Sequence, residues 1–376
     1  MSEFKDEIIK EVKKFRQTAI DPIIEEDDKT ETFRMEIFNQ LGELGFTGMT
    51  TSEAYGGAGL GYTDFCHFLE ELSKSSVPYA VTVSVSSMVQ SIIEKFGSEE
   101  QKQTYLPPLA SGVEIGAFAL SESGSGSDAT NLKTTAKIDG DHYVLNGSKL
   151  WITSGGVAKT YLVMARTGSA GSSGVSAFIV RDGDPGFEYG KAEEKMGWRT
   201  SPTRELLFKN CRIPKDRILG EEGKGIKAAF SGLDAGRITI GAISIGLAQR
   251  ALEESVKYSL TREQFGQPIF DFQGLQFMMS EMEVETTCAR LCVFEAAKLL
   301  DAGTPSSKLS SISKLKASDV AMKVSTDAVQ VLGGVGYTKE YPVERLMRDA
   351  KVLQIVEGTN QIQKLVIARC IKSEYN

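Results

Sequence analysis

The sequence predicts an α+β fold with an N-terminal α-helical domain, a middle β-barrel-like domain and a C-terminal α-helical bundle. Apolar residues recur at helical spacing up to about residue 112, and short β-rich runs then continue to Gly220. The helical period returns after Gly223. A chain of 376 residues is long enough for two or three domains, each with its own core. We place the domains at 1–112, 113–222 and 223–376.

The first domain is predicted to consist of amphipathic helices. Its apolar residues lie three or four positions apart, the spacing that lines one face of a helix. Two of these patterns stop at a glycine, Gly45 and Gly97, as helices commonly do. The four apolar sets are Phe4, Ile8, Val12 and Phe15; Phe33, Ile37, Leu41 and Leu44; Phe65, Phe68, Leu69 and Leu72; and Met88, Ile92, Ile93 and Phe96.

The middle segment is predicted to be a set of short strands. Residues 161–164, 177–180 and 205–208 are apolar runs bounded by Gly, Ser and Pro. Asn146-Gly147 lies between the apolar runs 143–145 and 150–152, and this dipeptide is a strong signal for a β-hairpin turn. We therefore expect a hairpin there and a β domain that ends near Gly220.

Long helices are predicted in the last third of the chain, at 238–258, 275–300 and 312–332. Helices of this length often pack against partner subunits as well as their own core, so a homo-oligomer is compatible with the pattern.

Composition narrows the function classes. The 50 acidic and 43 basic side chains give a net charge of −7, which argues against a general nucleic-acid or membrane-surface binder. The segment 1–7 is charged and helical in pattern, unlike a signal or transit peptide. The five scattered cysteines are predicted to be buried thiols in a reducing compartment, and we expect a cytoplasmic protein. They are Cys66, Cys211, Cys288, Cys292 and Cys370.

The segment 352–363 holds the most informative side chain, Glu357, which lies between an apolar run and a predicted helix start. Ile355 and Val356 would desolvate this carboxylate and raise its pKa, whereas the helix N-terminus would lower it. Asn360 and Gln363 have the spacing of a helix cap. The segment suits a base kept from bulk water, although an acid before a helix is also common for its interaction with the helix dipole alone.

A second segment, 118–128, is rich in glycine and hydroxyl side chains and follows an apolar stretch. Such a loop offers N–H groups and hydroxyls to phosphates or to the polar edge of a planar cofactor. The glycine run at 56–61 lacks the strand-turn-helix context of a dinucleotide fingerprint, so we do not assign it a nucleotide.

The segments 118–128 and 352–363, with Trp151-Ile152-Thr153 and residues 330–337 between them, resemble the signatures of the acyl-CoA dehydrogenase family. The order also fits that family, because the loop 53–57 comes early and the segment 341–350 leads into the Glu357 segment. The resemblance runs nearly end to end. It implies oxidation of an acyl thioester, with Glu357 removing the α-proton and the N5 atom of FAD accepting the β-hydride. It assigns the thioester oxygen to the Glu357 backbone N–H and a flavin ribityl hydroxyl.

The resemblance also implies binding residues, each of which has an ordinary structural alternative. Trp151 is otherwise a core aromatic, Thr153 and Ser127 turn hydroxyls, Arg262 a solvated helix-end arginine, and Gly333 and Gly334 a helix stop. Asp234 and Arg237 are otherwise a surface ion pair. The implied cofactor-binding residues are Phe118, Leu120, Ser121, Gly126, Ser127, Trp151, Ile152, Thr153, Arg262, Gln273, Gln330, Gly333, Gly334, Thr359 and Gln361, and the implied substrate-binding residues are Ser127, Asp234, Arg237 and Gly358.

Three positions bear on the details. Some branches of the family carry the catalytic glutamate where this chain has Gly236, so the base is expected at Glu357. Val356 replaces the tyrosine of many members, which widens the acyl end of the pocket, and Ser123 replaces a proline of the flavin loop. The resemblance points to a short or branched acyl-CoA, an electron-transferring flavoprotein as electron acceptor, and a homotetramer.

Alternatives of other classes stay open at this point. An acyl-CoA oxidase would share the base and the flavin but pass electrons to oxygen. A non-catalytic CoA- or flavin-binding protein would tolerate loss of Glu357. A serine hydrolase has only His67 and His142 as possible bases and lacks the G-x-S-x-G motif. Two isolated histidines without ligand spacing argue against a metal site.

Overall fold

The computed structural model describes residues 4–376 as six N-terminal helices, a middle sheet and five C-terminal helices. Residues 1–3 of the predicted first helical segment lie outside the described part. The elements are α1 Lys5–Phe15, α2 Ile24–Thr30, α3 Met35–Glu43, α4 Tyr62–Ser73, α5 Val77–Phe96, α6 Glu99–Ala110, β1 Gly116–Ala119, β2 Thr135–Asp139, β3 His142–Thr153, β4 Thr160–Arg166, β5 Val175–Arg181, β6 Phe187–Ala192, β7 Thr203–Pro214, β8 Ile218–Leu219, α7 Gly225–Thr261, β9 Glu263–Gln264, β10 Gln267–Pro268, α8 Gln273–Asp301, α9 Ser307–Leu332, α10 Val343–Leu353 and α11 Asn360–Glu374.

The N-terminal helices form as the apolar spacing predicts, and each buries its apolar face. In α1 the buried side chains are Ile8, Val12 and Phe15, and in α4 all four predicted core residues are buried. Helix α5 is buried along most of its length and lies between the first helices and the sheet. It therefore belongs to both the helical core and the interface with the middle domain.

The middle domain is one eight-stranded sheet with the order β6-β7-β3-β2-β4-β5-β8, and β1 pairs in parallel with β4. Strands β4 and β5 are buried at six of their seven positions, because helices cover them, and this accounts for their continuous apolar runs. The predicted strands at 161–164, 177–180 and 205–208 lie in β4, β5 and β7.

The predicted Asn146-Gly147 hairpin is wrong. Both residues lie inside β3, which runs unbroken for 12 residues, and the pairing with β7 shifts by a bulge between Leu145 and Gly147. Gly147 has a φ of 141°, and a Cβ there would meet the Thr134 Cα at 2.7 Å. The glycine therefore serves a bulge and a close backbone approach, which sequence spacing did not distinguish from a turn. The chain reverses instead at Gly140, between Asp139 and its pairing partner His142.

The C-terminal helices α7, α8 and α9 have 37, 29 and 26 residues and contain the three predicted helical segments. Helix α7 also packs against the N-terminal helices, where the Ser84 hydroxyl donates to Thr239 Oγ1 at 2.7 Å. Within residues 4–376, no helix combines the length and the apolar character needed to cross a membrane.

The prediction of five buried cysteines is wrong for three of them. Cys66 and Cys211 are buried, Cys288 is exposed, and Cys292 and Cys370 are partly buried. All five thiols are free. Cys288 lies on the exposed face of α8. The hydrophobic pattern of this helix did not show whether that face is exposed or buried.

The three regions meet at a polar junction around Arg348 of α10. The Arg348 guanidinium bonds to the Asp28 carboxylate of α2 at 2.7 Å and donates to the Met196 carbonyl of the middle domain at 3.0 Å. Next to it, the Trp198 N–H donates to the Asp349 carboxylate at 2.6 Å. One turn of α10 thus joins the N-terminal helices to the sheet domain. The predicted domain bounds stay a prediction.

Candidate active site

Glu357 lies in the short connection between α10 and α11, and its backbone has a left-handed conformation. Its φ is 56°, and that of Gly358 is 85°. A left-handed conformation is uncommon for a residue with a side chain and costs energy that the surroundings must offset. Two consecutive left-handed residues turn the chain sharply and aim the Glu357 side chain at α7.

Two side chains hold this turn from below. The Gln363 amide donates to the carbonyls of Glu357 and Gly358 at 3.0 and 2.8 Å. Lys314 Nζ, on α9, donates to the Gly358 carbonyl at 3.1 Å and to Asn360 Oδ1 at 2.8 Å. The predicted cap at Asn360 is one residue off, since Thr359 is the N-cap and accepts from the Ile362 N–H. Asn360 instead points into the protein and bonds to α9.

The Glu357 carboxylate is held in a dry, closely packed place. Its Oε2 is inaccessible and has no hydrogen-bond partner among residues 4–376, and burial raises the pKa of Glu357 to about 7 despite the opposing charges of Arg237 and Lys314. Of the two opposing effects named from the sequence, desolvation is the larger, but Ile355 is 51% exposed and contributes little to it. An ordinary glutamate would be ionised far below neutral pH, so this one can exchange a proton near pH 7.

Gly236 of α7 leaves the room that this carboxylate occupies. A Cβ at position 236 would lie 2.6 Å from Glu357 Oε2 and 2.9 Å from its Cδ. Such distances are below van der Waals contact, so a side chain at 236 would displace the Glu357 carboxylate from its present position.

The backbone N–H of Glu357 is available to a ligand. The neighbouring N–H groups of Val356 and Asn360 donate to Val352 and Gln354, whereas no carbonyl of residues 4–376 accepts from Glu357. A free donor and a partnerless carboxylate on one residue can serve a thioester oxygen and the adjacent α-proton, respectively.

The structure brings the two predicted flavin-contacting segments together. The Leu150 N–H donates to the Ser121 carbonyl at 2.9 Å, which fastens the glycine- and serine-rich loop to the end of β3. Of the predicted residues here, Leu120 and Ile152 are buried, Phe118, Ser121 and Thr153 are partly buried, and Gly126, Ser127 and Trp151 are exposed. Trp151 is 59% exposed with a φ of 63°, so its alternative as a core aromatic is wrong.

A buried ion pair that the sequence analysis missed secures these two segments. Lys149 is fully buried and donates to Glu122 Oε1 at 2.7 Å and to the Leu120 carbonyl at 3.0 Å. Glu122 also accepts from the N–H groups of Lys133 and Thr134. Burial lowers the pKa of Lys149 to about 8. This value is still above neutral pH, so the lysine stays charged there. Lys149 points to the same buried face of β3 as Tyr143 and Leu145, because it lies an even number of residues from them. This alternation along the strand could have predicted that Lys149 is buried.

Unpaired polar atoms near Trp151-Ile152-Thr153 fit a cofactor with a polar edge. The buried hydroxyls of Ser154, Thr200 and Ser201 have no partner among residues 4–376. Ser154 follows directly after Thr153 in the chain. Buried hydroxyls without a partner are rare, and they indicate a group that the chain does not supply. With the exposed indole of Trp151, they offer the hydrogen bonds and the apolar surface that a flavin ring needs.

The remaining predicted cofactor residues lie elsewhere on the surface. Arg262 and Gln273 are exposed on either side of the small β9–β10 hairpin, and Gln330, Gly333 and Gly334 are exposed at the end of α9. No hydrogen bond or ion pair in the described chain links Arg262, Gln273 or Gln330 to Glu357. Thr359 and Gln361 lie at the start of α11, with Gln361 exposed. Their cofactor roles stay predictions.

Asp234 and Arg237 form the ion pair that was their structural alternative, at 2.6 Å. It is only partly a surface pair, because the Arg237 side chain is 13% exposed and its Nε is buried without a partner. The pair lies on α7 beside Gly236, which puts one positive charge close to the Glu357 carboxylate.

Neither histidine supports the serine hydrolase alternative. The His67 ring stacks on Phe294 at 4.3 Å, and burial lowers its pKa to about 4. His142 bonds to the neighbouring Asp141 on the sheet surface. Neither ring bonds to a serine anywhere in residues 4–376.

The sequence matches three family models in order. They are the N-terminal domain of acyl-CoA dehydrogenase at residues 2–113, its middle domain at 117–211 and its C-terminal domain at 223–372. A short-chain-specific acyl-CoA dehydrogenase of Clostridium acetobutylicum is 46% identical over 359 residues, 95% of each chain. The chain belongs to the acyl-CoA dehydrogenase family.

Solved structures agree with this assignment. The butyryl-CoA dehydrogenase of Megasphaera elsdenii has a TM-score of 0.97 with 42% identity and 99% of both chains covered. A chain from the structure of the electron-transferring flavoprotein of Acidaminococcus fermentans, on flavin-based electron bifurcation, also has a TM-score of 0.97, with 46% identity over 99% of this chain and 98% of the other. The predicted family and the order of helices, sheet and helices are confirmed. This acyl-CoA dehydrogenase is an FAD-dependent oxidoreductase.

Proposed function

We propose that the enzyme dehydrogenates a short-chain acyl-CoA to the 2-enoyl-CoA, with Glu357 as the base that removes the α-proton. The observation that carries the assignment is the inaccessible, partnerless Oε2 of Glu357, packed against the bare backbone of Gly236. The carboxylate has no structural bond to break, so it can bind a substrate proton without loss of a native contact.

Each part of the site has a role in this reaction. The free N–H of Glu357 binds the thioester oxygen, where negative charge develops as the α-proton leaves. Oε2 takes that proton, and burial matches its proton affinity to neutral pH. Bound FAD supplies the acceptor for the hydride of the β-carbon. Trp151, Thr153, the loop of Ser121 to Ser127, and the more distant Arg262, Gln273, Gln330, Gly333, Gly334, Thr359 and Gln361 would hold it.

The substrate class rests on the relatives. The Clostridium relative is described as short-chain specific, and the Megasphaera structure as a butyryl-CoA dehydrogenase. Ser127, Asp234, Arg237 and Gly358 are proposed to lie along the acyl-CoA. Val356 is smaller than tyrosine and leaves room for a branch, so a branched acyl-CoA is the second candidate.

We also propose an electron-transferring flavoprotein as the acceptor and a homotetramer as the assembly. A structure of such a flavoprotein contains a chain of the same fold at 46% identity, which supports the partner. On α8, Phe277, Val284 and Leu291 recur every seven residues and are 57%, 59% and 67% exposed. An exposed apolar stripe of this spacing suits a helix partner, and sedimentation of the holoenzyme as a monomer would contradict the assembly.

The test is anaerobic reduction of the bound flavin by butyryl-CoA and isobutyryl-CoA, with Glu357→Gln as the variant. The amide fits the same space but cannot take a proton, so FAD stays bound while the reduction rate falls about a hundred- to ten-thousand-fold. Glu295→Gln, an exposed glutamate of α8, is the matched control and should reduce normally.

The outcomes separate the candidates. Bleaching by butyryl-CoA in the wild-type protein supports a short-chain dehydrogenase, and faster bleaching by isobutyryl-CoA supports the branched substrate. Rapid reoxidation by air, with stoichiometric peroxide, would mark an oxidase. Normal reduction of Glu357→Gln would remove Glu357 as the base, and no reduction of the wild-type protein by any acyl-CoA would favour a non-catalytic binder.

A further inference from the structure

Lys314 is a buried charge that the proposed reaction does not use. It lies in the middle of α9 and is fully buried, and a lysine is rarely buried to this extent without a specific partner. The face of α9 around it is made of small residues, Ser310, Ala317 and Ser318, which leave space for its long side chain. Its ammonium group reaches the turn that carries Glu357.

The hydrogen bonds of this ammonium group go to that turn and to the first residue of α11. Nζ donates to the Gly358 carbonyl at 3.1 Å and to Asn360 Oδ1 at 2.8 Å. The Asn360 amide is fixed in turn by Ser318 at 3.0 Å and by Asp319 at 2.7 Å, both on α9. The Gly358 carbonyl is therefore held to α9 by a hydrogen bond from a charged donor, which is stronger than one between neutral groups.

We propose that Lys314 is a positioning residue for Glu357, which fixes the left-handed turn at 357–358 and supplies a second positive charge beside the carboxylate. The inference rests on Glu357 as the base. By holding the Gly358 carbonyl, Lys314 orients the preceding peptide, and with it both the free N–H and the carboxylate of Glu357. Without it, Gln363 is the remaining side chain among residues 4–376 that bonds to the carbonyls of Glu357 and Gly358.

The charges around Glu357 set the expected direction. Arg237 of α7 and Lys314 of α9 both lower the pKa of the carboxylate, while burial raises it. Asp234 bonds to Arg237, and Asp319 lies close to Lys314. Burial lowers the pKa of Lys314 to about 8, so it is charged where Glu357 begins to ionise. Removing this cation must make Glu357 harder to ionise.

The test measures flavin reduction by butyryl-CoA in the holoenzyme from pH 5.5 to 9, for Lys314→Met and Lys314→Gln. Methionine removes the charge and the donor, whereas glutamine keeps a donor. In both variants the midpoint of the rate should move to higher pH, by about one unit, since a neighbouring opposite charge shifts a pKa by about 1–3 units. At pH 7 the ionised fraction of Glu357 would fall about fivefold, so the rate of Lys314→Met should fall about fivefold or more, with KM changed less than kcat.

Lys316→Met is the matched control. Lys316 lies two residues away on the same helix but pairs with Glu285 of α8 rather than with the turn. Its removal should leave the pH profile and the rate as in the wild-type protein.

Three results would overturn the proposal. The first is an unchanged pH midpoint in both variants with only a lower melting temperature, which would make Lys314 a purely structural residue. The second is loss of FAD or of the folded state in both variants, with the same meaning. The third is an equal shift in Lys316→Met. Normal reduction by Glu357→Gln is a separate result, and it would overturn the base assignment whatever Lys314 does.

Discussion

At the scale of single residues, the site depends on what is missing at position 236. A Cβ on residue 236 would lie only 2.6 Å from Oε2 of the Glu357 carboxylate. Protein interiors are packed to the density of organic crystals, so one methyl group in this place must move the carboxylate.

We predict that Gly236→Ala lowers flavin reduction by butyryl-CoA at least about tenfold while FAD remains bound, because a displacement of the base by about 1 Å is costly in catalysis. Gly241→Ala is the matched control, since its Cβ would meet the Val293 side chain at 2.7 Å on the same helix but away from Glu357. Stopped-flow reduction measures both. Equal losses in the two variants would mean that the effect is a general cost of overpacking α7.

The sequence pointed to Glu357 and to its desolvation, because an apolar run, a glycine and a helix start lie next to it, but it left the net direction of the pKa shift open. It did not reveal the left-handed turn or the support from Lys314. That support comes from a helix more than 40 residues earlier, and no local spacing connects the two. The missed residue is thus a long-range partner rather than a misread motif.

At the scale of elements, one buried ion pair fastens strand β3 to the loop 118–128, which is proposed to bind the flavin. Lys149 occupies an inward position of the strand, and Glu122 lies within the loop that the resemblance assigns to the flavin. Breaking a buried pair leaves the other charge without compensation, which costs about 3–5 kcal/mol.

We predict that Lys149→Met destabilises the protein by about 3–5 kcal/mol and weakens FAD retention, measured by urea unfolding and by flavin content after dialysis. Adding Glu122→Gln to this variant should restore part of the stability, because the amide removes the buried charge. The restoration is incomplete, since Lys133 and Thr134 donate to different oxygens of Glu122 and the amide has one carbonyl oxygen to accept with. Lys137→Met, exposed on β2, is the control. A double variant no more stable than Lys149→Met would contradict the ion-pair explanation.

Element types were predictable where the hydrophobic period was long, as in α7, α8 and α9. Short signals were ambiguous: Asn146-Gly147 has the residues of a hairpin turn, yet the strand continues through it with a bulge. The same residue preferences serve both structures, because each needs one glycine in an unusual conformation. Pairing with β7, a distant strand, decides between them.

At the scale of the whole molecule, Arg348 connects three regions that the sequence presents as consecutive blocks. Its guanidinium contacts Asp28, Met196 and Glu344, from the N-terminal helices, the middle domain and its own helix. Domain order was predictable from the change of period along the chain. This junction was not, since its partners are up to 320 residues apart.

We predict that Arg348→Met lowers the free energy of unfolding by about 2–4 kcal/mol, between the values for exposed and fully buried pairs. Circular dichroism and flavin fluorescence followed in one urea titration should lose their coincidence in the variant. Lys351→Met, at an exposed residue of the same helix whose ammonium group bonds to Gln354, should change neither. Coincident transitions at the wild-type midpoint would show that other contacts join the regions.

The close approach of position 236 to the Glu357 carboxylate also restricts how such enzymes can diverge. If a descendant moved its base from the connection between α10 and α11 to helix α7, it would need a new glutamate at 236 and the loss of Glu357. Either substitution alone leaves a poor enzyme, through collision in one order and through the lack of a base in the other. Both single-substitution intermediates between the two locations of the base are therefore poorly active. The change of location requires both substitutions close together in time.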